Sequence, residues 1–314
     1  MVSLEKFATD FGMLNPMPDH IESLLDRSYN SLLAYRDNKI KSGDGLCDLK
    51  NVNFMKGFIP DYTDAGQCSL YLLRYGAAYT VEYRAAYDEI FKGQHIIPGH
   101  VCILSVGCGT CLDKASAFCA MKKYAQFKDK ELVYYGVDIA RWNVDVFDDV
   151  ETRFIHKGIQ NVGSADIETL VDIVFFPKSL SEIEEYWLTG FLDNMDEDDF
   201  EDKICIVASN RNSLADNAKA SNFIVKFCDK FDFHTTNTIS VQKNYKTDRE
   251  YSNIWSIFEH FSYPQHAIDA GSNPKSLCIF EETCKESRCE EYLNWHVTLN
   301  TNLFNTIVYC LERN

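Results

Sequence analysis

Apolar positions recur with helical spacing over the first quarter of the chain. Residues 1–40 show this periodicity, with a predicted break at Pro16 and Pro18, and residues 41–66 are predicted to form loops or short elements. From Gln67 to Lys92, apolar and aromatic residues lie three and four positions apart without a proline. This spacing predicts one long helix or a pair of helices.

Short β-rich apolar runs then alternate with helical patterns. The predicted strands are VCILSVG (101–107), ELVYYGVDI (131–139), TRFIHKG (152–158), DIVFF (172–176) and KICIVAS (203–209). The predicted helices between and after them cover residues 112–127, 141–150, 181–192 and 213–231. Such alternation favours parallel strands joined by right-handed crossovers.

The last quarter of the chain contains two further predicted strands separated by a long insertion. They are FHTTNTISVQ (233–242) and NTIVYCLER (305–313), with a helical pattern at NIWSIFEHFS (253–262) between them. The sequence therefore predicts a three-layer α/β fold with a Rossmann-like, parallel-rich sheet and helices on both faces. An N-terminal helical extension precedes this sheet, and the insertion lies between the last strands.

Composition and hydropathy describe a folded protein without a membrane span. Hydrophobic residues make up 46% and aromatic residues 13% of the 314 residues. No run of about eighteen apolar residues occurs, and the start MVSLEKFATDFGM lacks a basic end followed by an apolar stretch. We expect a soluble cytoplasmic protein.

The cysteines are predicted to be reduced and not to bind metal. There are twelve in a long chain without a secretion signal, and most lie inside apolar runs. Cys278, Cys284 and Cys289 are spaced by six and five residues, which matches no common zinc pattern, and Cys108 and Cys111 form an isolated CxxC.

The charge balance bears on the class of partner. The formal net charge is −16, and seven acidic residues lie within residues 193–202, which we interpret as a solvated loop or helix start. A negative field repels polyanions, so extended nucleic-acid binding is not expected and a small-molecule or protein partner is favoured. The oligomeric state is left open.

Candidate chemistry concentrates at the turn after the first predicted strand. Ligands of open parallel sheets bind at the carboxyl ends of the strands, and ILSVGCGTCLD (103–113) occupies such a place. Gly107 and Gly109 would let the main chain approach a ligand closely. No GK[ST] follows, which excludes a Walker A loop, and Leu112 stands where a dinucleotide fingerprint needs a small residue.

This segment resembles the first motif of the class I (Rossmann-like) S-adenosylmethionine-dependent methyltransferase family. VGCGTCLD is similar to the family's strand ending in GxG, with Cys111 at the usual third glycine and Ser105 replacing a frequent acid. In YYGVDIARW, the family's second-strand acid corresponds to Asp138. The resemblance covers about residues 70–210.

The resemblance implies S-adenosylmethionine as cofactor and a set of residues that bind it. The implied set is Arg74, Gly107, Cys108, Gly109, Asp138, Ile139 and Lys178. Asp138 would accept hydrogen bonds from both ribose hydroxyls, Ile139 would flank the adenine, and Arg74 would reach the methionine carboxylate. Region 1–98 would cover the cofactor site, and region 99–314 would bind the cofactor, with the insertion at about 234–303.

Several of these residues also allow structural interpretations. Asp138 would suit the N-cap of a following helix, and Ser179 with Glu182 has the spacing of a capping box. Tyr71 and Tyr75 would either line the site or pack in the core. In the same way, Arg74 would cap a surface, and Trp142 would pack either near the adenine or in the core.

The implied activity is methyl transfer to a small molecule or protein acceptor, with no catalytic residue assigned. One alternative is a non-catalytic S-adenosylmethionine-binding sensor or scaffold protein. An RNA-directed methyltransferase and an NAD-linked enzyme are the others. The absence of an evident base does not decide between them, because methyl transfer depends mainly on positioning.

Overall fold

The molecule is built around one mixed sheet flanked by helices. The computed structural model describes residues 17–46, 48–49, 61–97, 99–142, 151–211, 213–241, 264–278 and 304–314. The helices are α1 (Met17–Ser42), α2 (Ala65–Tyr71), α3 (Ala77–Gly93), α4 (Leu112–Lys123), α5 (Glu185–Asn194), α6 (Leu214–Phe231) and α7 (Gln265–Ser272). A π-helical turn, Leu72–Gly76, joins α2 to α3.

The described strands form a seven-stranded sheet. They are β1 (Val101–Val106), β2 (Leu132–Val137), β3 (Glu151–Ile155), β4 (Val171–Pro177), β5 (Phe200–Arg211), β6 (Phe233–Ser240) and β7 (Phe304–Arg313). Their order is β3-β2-β1-β4-β5-β7-β6. The first five pair in parallel, whereas β7 is antiparallel to β5 and to β6. The chain order reverses between β1 and β4, which places a binding crevice above the carboxyl end of β1.

Alternate residues of the central strands enter two separate cores, which accounts for the three layers. On β1, Ile103 packs with α3 and α4, while Cys102 and Leu104 pack on the face that carries α5 and α6. Both sets are fully buried. A strand covered on both faces is continuously apolar, which is why the sequence has runs such as VCILSV. The predicted three-layer α/β fold with a Rossmann-like, parallel-rich sheet is confirmed.

A third apolar cluster joins the N-terminal helices to the segment that precedes β7. Ile21 and Leu25 of α1 pack with Leu73 of the π-helical turn and with Ala267 and Ala270 of α7. The N-terminal helical extension is therefore covered by part of the chain between β6 and β7. The division into regions 1–98 and 99–314 stays a prediction.

Several predicted boundaries differ from the structure. Pro18 lies in the first turn of α1 rather than breaking it, because a proline there lacks only an amide that has no intrahelical partner. The helix predicted to reach residue 127 ends at Lys123, since Tyr124 is extended. The helix predicted from residue 181 begins at Glu185, after a turn in which the amide of Glu182 donates to the carbonyl of Ser179.

Other predictions fall partly outside the described residues. The predicted helix at 253–262, most of that at 141–150, Cys284 and Cys289 lie there. Among the residues described, the cysteines are free thiols and no group of His, Cys, Asp or Glu is arranged to hold a metal ion. The helices within those ranges include none with the length and hydropathy needed to cross a bilayer.

A buried acid at the start of β4 gives the fold a predicted pH dependence. The Asp172 carboxylate accepts a hydrogen bond of 2.8 Å from the amide of Cys102. Burial raises the pKa of Asp172 to about 8, and the nearby charge of Glu201 adds to the shift, while the amide hydrogen bond opposes it. Since the pKa of Asp172 in the folded state lies above its ordinary value, the stability that this carboxyl contributes is fully present below about pH 4. That contribution falls as the pH rises toward 8.

We predict that Asp172→Asn flattens this dependence. The difference in free energy of unfolding, variant minus wild type, should increase by at least ~1.4 kcal/mol from pH 5 to pH 8, the equivalent of one pKa unit. Urea unfolding at both pH values measures this change. Exposed Asp198→Asn is the matched control. Parallel pH profiles for wild type and Asp172→Asn would contradict the prediction.

Candidate functional site

The turn between β1 and α4 has a left-handed backbone at three positions. Gly107, Gly109 and Cys111 have φ of 68°, 54° and 57°. Left-handed φ is the conformation that glycine supplies without strain, and Cys111 adopts it where the resembled family has its third glycine. The amides of Gly107 and Cys108 donate to the carbonyl of Val137, at 2.7 and 3.0 Å, and attach the turn to the end of β2.

Asp138 joins the end of β2 to the same turn. Its Oδ2 accepts a hydrogen bond of 2.9 Å from the amide of Gly109, and its Oδ1 accepts one of 2.8 Å from the amide of Ala140. Burial raises the pKa of the Asp138 carboxyl, and hydrogen bonds from the two amides and from the Trp142 side chain partly offset that rise. A carboxylate has about four lone-pair positions; the two amides use two of them, and the Trp142 side chain competes for a third. The sequence also allowed Asp138 to cap a following helix. Residues 141–142 are not helical, and the bond from the amide of Ala140 forms only a local turn.

Ile139 and Trp142 continue the chain beyond Asp138 and differ in exposure. Ile139 is 67% exposed, which is unusual for a large apolar side chain beside a buried strand end. Trp142 is half-buried and lies over Gly109, with its ring 3.3 Å from the position that a Cβ there would occupy. Trp142 also stacks on Tyr62, with ring centroids 4.1 Å apart.

Ser179 covers the first glycine of the turn. A Cβ on Gly107 would overlap the Cβ of Ser179, whose hydroxyl donates to the carbonyl of Val106. The predicted capping box of Ser179 and Glu182 is therefore wrong, since α5 begins later and the Ser179 hydroxyl is directed at β1. From the sequence, we expected the glycine at 107 to make room for a ligand. In the structure, the absence of a side chain at Gly107 makes room for Ser179.

Arg74 lies in the π-helical turn and is directed at the C-terminal part of the chain. Its Nε donates to the carbonyl of Gly271 in α7 at 2.9 Å, and the residue is 1% exposed. Burial lowers the pKa of Arg74 to about 10. π-Helical turns are frequent at functional sites. Here Tyr71 directly precedes the turn and Tyr75 lies within it, with ring centroids 5.5 Å apart. A role for Arg74 in holding a cofactor carboxylate stays a prediction.

Lys178 is held in a buried polar network at the carboxyl ends of β4 and β5. Its ammonium lies 2.6 Å from Glu82 Oε2 and 2.7 Å from Ser209 Oγ. Glu82 Oε1 accepts hydrogen bonds from Ser209 and Thr306. Lys178 also lies 5.1 Å from the ring centroid of Tyr79 and has a left-handed φ of 64°. In this structure the partners of the Lys178 ammonium are protein groups, Glu82 and Ser209. The contact of Lys178 with a cofactor stays a prediction.

Cys108 is a buried thiol rather than a reactive thiolate. It is 4% exposed, and its pKa lies well above the ordinary value because of a hydrogen bond with Cys111 and because of burial. Thiolates are the nucleophilic form of cysteine, so this environment argues against covalent chemistry at the turn.

The structure brings most of the implied cofactor residues to one edge of the sheet. Gly107, Cys108, Gly109, Asp138 and Ile139 meet at the carboxyl ends of β1 and β2. Sequence reasoning missed Glu82 and Tyr62. A charged residue inside the aromatic pattern of α3 is the one signal that could have indicated Glu82, whereas nothing in the sequence marked Tyr62.

Comparison with known proteins shows similarity at the level of fold. No family model and no curated protein matches the chain. Among solved structures, the chain is 9% identical to the plantazolicin methyltransferase BpumL in complex with a monoazolic desmethylPZN analogue and SAH. That match covers 94% of this chain and 99% of BpumL, with a TM-score of 0.43.

Two other solved structures show a similar degree of likeness. A putative class I S-adenosylmethionine-dependent methyltransferase from Listeria monocytogenes is 12% identical, covers 96% of this chain and 89% of its own, and has a TM-score of 0.42. YjhP from E. coli is 10% identical, covers 78% and 99%, and has a TM-score of 0.35. Likeness at these scores does not identify the activity of this chain.

We predict that Gly107→Ala destabilises the fold through Ser179. The alanine methyl group would overlap the Ser179 side chain, and a non-glycine residue at φ 68° adds strain of about 1 kcal/mol. Together, the overlap and the strain should cost about 2–4 kcal/mol in free energy of unfolding. Urea denaturation measures this cost.

A double mutant separates the two causes. Ser179→Gly removes the overlapping atoms, so Gly107→Ala should cost only the backbone strain in that background. An equal cost of Gly107→Ala with and without Ser179 would show that the serine is not responsible.

Proposed function

We propose that this protein binds S-adenosylmethionine at the Gly107–Cys111 turn and transfers its methyl group to a small molecule or a protein acceptor. The observation that supports the proposal is the Asp138 carboxylate, which is fixed to the turn by Gly109 and keeps acceptor capacity beyond its two amide donors for a ribose hydroxyl. Exposed Ile139 beside it offers an apolar surface for adenine.

Features of the same turn make a dinucleotide less suitable as a ligand. A bound pyrophosphate needs small residues where the turn enters the helix, so that it can approach the N-terminal amides. Here Cys111 and Leu112 occupy that entrance, and both are at least 95% buried. The hydrogen bond from Gly109 to Asp138 commits one amide of the turn to the protein itself.

The chain's own residues would mainly position the reactants. The cofactor supplies an electrophilic methyl carbon on a sulfonium. Asp138 would orient the ribose, and Ile139 would cover the adenine. In-line displacement depends mostly on such placement, for which effective molarities are large.

The acceptor would enter from the side of β4 and β5. Lys178 and Tyr79 lie at that edge. Of the ion pair, Lys178 is the more exposed partner, with 12% of its side chain accessible against 2% for Glu82. The formal net charge of −16 favours a small molecule or a protein over a polyanion.

A non-catalytic S-adenosylmethionine sensor is the second candidate function. It is supported by the Lys178–Glu82 ion pair, because each charged group already has a partner within 2.6 Å. If the ion pair is purely structural, the described site contains no assigned acid or base. The sensor would bind the cofactor without turnover.

Calorimetric titration tests cofactor binding directly. The full chain should bind S-adenosylhomocysteine and show no heat of binding with NAD at the same concentrations. Binding of NAD alone, or of neither ligand, would refute the proposal. Mass spectrometry of metabolite and protein pools incubated with S-adenosylmethionine then separates an enzyme from a sensor, since only the enzyme produces methylated products.

We predict that Asp138→Asn abolishes discrimination for the ribose hydroxyls. The wild type should bind S-adenosylhomocysteine about 5- to 100-fold more tightly than its 2′-deoxy analogue, the equivalent of ~1–3 kcal/mol for a hydrogen bond to a charged group. The variant should bind both ligands weakly and with similar affinity. A wild-type preference that survives in Asp138→Asn would show that another group holds the ribose.

For Arg74, the contact with Gly271 predicts a structural role. Arg74→Met should lower the melting temperature by about 2–6 °C, the shift expected for the loss of a buried charged hydrogen bond in a chain of this size. The ratio of affinities for S-adenosylhomocysteine and methylthioadenosine, which lacks the amino-acid end, should stay within about twofold of the wild type. A collapse of this ratio would instead assign Arg74 to the methionine carboxylate.

A further inference from the structure

Three aromatic side chains from separate parts of the chain meet above the glycine turn. Tyr62 precedes α2, Tyr71 ends it, and Trp142 follows β2. Their ring centroids are 4.1 Å apart for Tyr62 and Trp142, 5.5 Å for Tyr71 and Trp142, and 5.9 Å for Tyr62 and Tyr71. We call these three residues the aromatic cluster.

The aromatic cluster is half-buried, as is the neighbouring Tyr75, whereas two tyrosines further along α3 are fully buried. Tyr62, Tyr71 and Trp142 each keep partial exposure, whereas Tyr83 and Tyr87 of α3 are 2% and 0% exposed. A cluster that served only the core would be expected to exclude solvent as those two tyrosines do. Its position over Gly109 puts it at the mouth of the crevice.

Two carboxylates influence the pKa of Tyr62 in this cluster. Burial raises the pKa of Tyr62, and the negative charges of Glu182 and Asp138 raise it further. Asp138 follows β2 and Glu182 follows β4, the two strands that flank β1 in the sheet. Burial likewise raises the pKa of Tyr71, and the charge of Glu182 contributes to this rise.

Electron-rich ring faces beside carboxylates form a favourable site for a cation. A cation within about 6 Å of an aromatic face gains roughly 0.5–2 kcal/mol, more when it is desolvated. S-adenosylmethionine carries a positive sulfonium, whereas the product S-adenosylhomocysteine is a neutral thioether at that atom. Apart from this charge, the two ligands differ only by the transferred methyl group, so a cation site would favour the charged cofactor.

We propose that the aromatic cluster, with Asp138, recognises the positive charge of the cofactor and makes the site prefer the charged cofactor over its neutral product. This inference rests on the proposed function. Tyr62, Tyr71 and Trp142 are then specificity-determining residues. Because methyl transfer removes the positive charge, the site binds the product with lower affinity than the cofactor.

The test compares a stable charged analogue with the neutral product. Sinefungin carries an ammonium where the cofactor has its sulfonium, and it does not react. By calorimetry, the wild type should bind sinefungin about 5- to 30-fold more tightly than S-adenosylhomocysteine, the factor that corresponds to ~1–2 kcal/mol. Trp142→Leu and Tyr62→Leu should each reduce this preference to below about threefold.

Matched variants control for general effects of losing a ring. Trp187→Leu removes a half-buried tryptophan that packs in the core on the other face of the sheet and should keep the wild-type preference. Trp142→Phe retains an aromatic face and should keep most of it. Opening of the crevice in Trp142→Leu would change both affinities together, so the ratio isolates the charge.

The outcomes separate this inference from the proposed function. If neither ligand binds the wild type, the proposed function fails. If both bind with equal affinity, or if the preference is unchanged in both Trp142→Leu and Tyr62→Leu, cofactor binding stands and charge recognition by the cluster is refuted. Should one leucine variant fail to fold, shown by a lost cooperative melt, the other variant and Trp142→Phe still decide the result.

Discussion

The hydrogen bond from the amide of Gly109 to the carboxylate of Asp138 is the contact on which the site depends. It joins the turn after β1 to the end of β2, and two further amides of the same turn donate to the carbonyl of Val137. A half-buried carboxylate is costly unless it is hydrogen-bonded, and two backbone donors meet much of that cost. The turn, the acid and the apolar residue beside it are therefore held as one rigid unit.

A second constraint is the buried ion pair of Lys178 and Glu82. Glu82 comes from α3 and reaches the ends of three strands through Lys178, Ser209 and Thr306. Replacing such a pair by apolar residues is often neutral or stabilising, so stability alone is a weak reason for its presence. Its effect in this fold is to fix α3, and with it the neighbouring tyrosines, against the carboxyl edge of the sheet.

The N-terminal helices and α7 pack together. Arg74 of the π-helical turn bonds to Gly271 of α7, and Tyr29 of α1 lies with its ring centroid 4.6 Å from that of His266. These contacts link the aromatic cluster to the chain between β6 and β7. Distant parts of the sequence are thus connected through one packed unit.

Local patterns in the sequence were sufficient to predict the positions of the strands, of the glycine turn and of Asp138 at the end of β2. Each depends on neighbours within a few residues: β1 is recognisable as an apolar run buried on both faces, and Gly107 and Gly109 as the end of that run. Helix ends were less accurate, since Pro18 fits inside a first turn and the turn around Ser179 delays α5. No alternating pattern showed that β7 would lie between β5 and β6.

Only the tertiary structure decided the partners of the charged and small residues. Arg74 meets a carbonyl 197 positions away, Glu82 meets Thr306 224 positions away, and the side chain missing at Gly107 makes room for Ser179. A sequence specifies the chemical character of each residue and the periodicity of its neighbours. Which distant groups satisfy a buried charge is settled by how the helices pack on the sheet, because burial removes water and leaves only the groups that packing brings within reach.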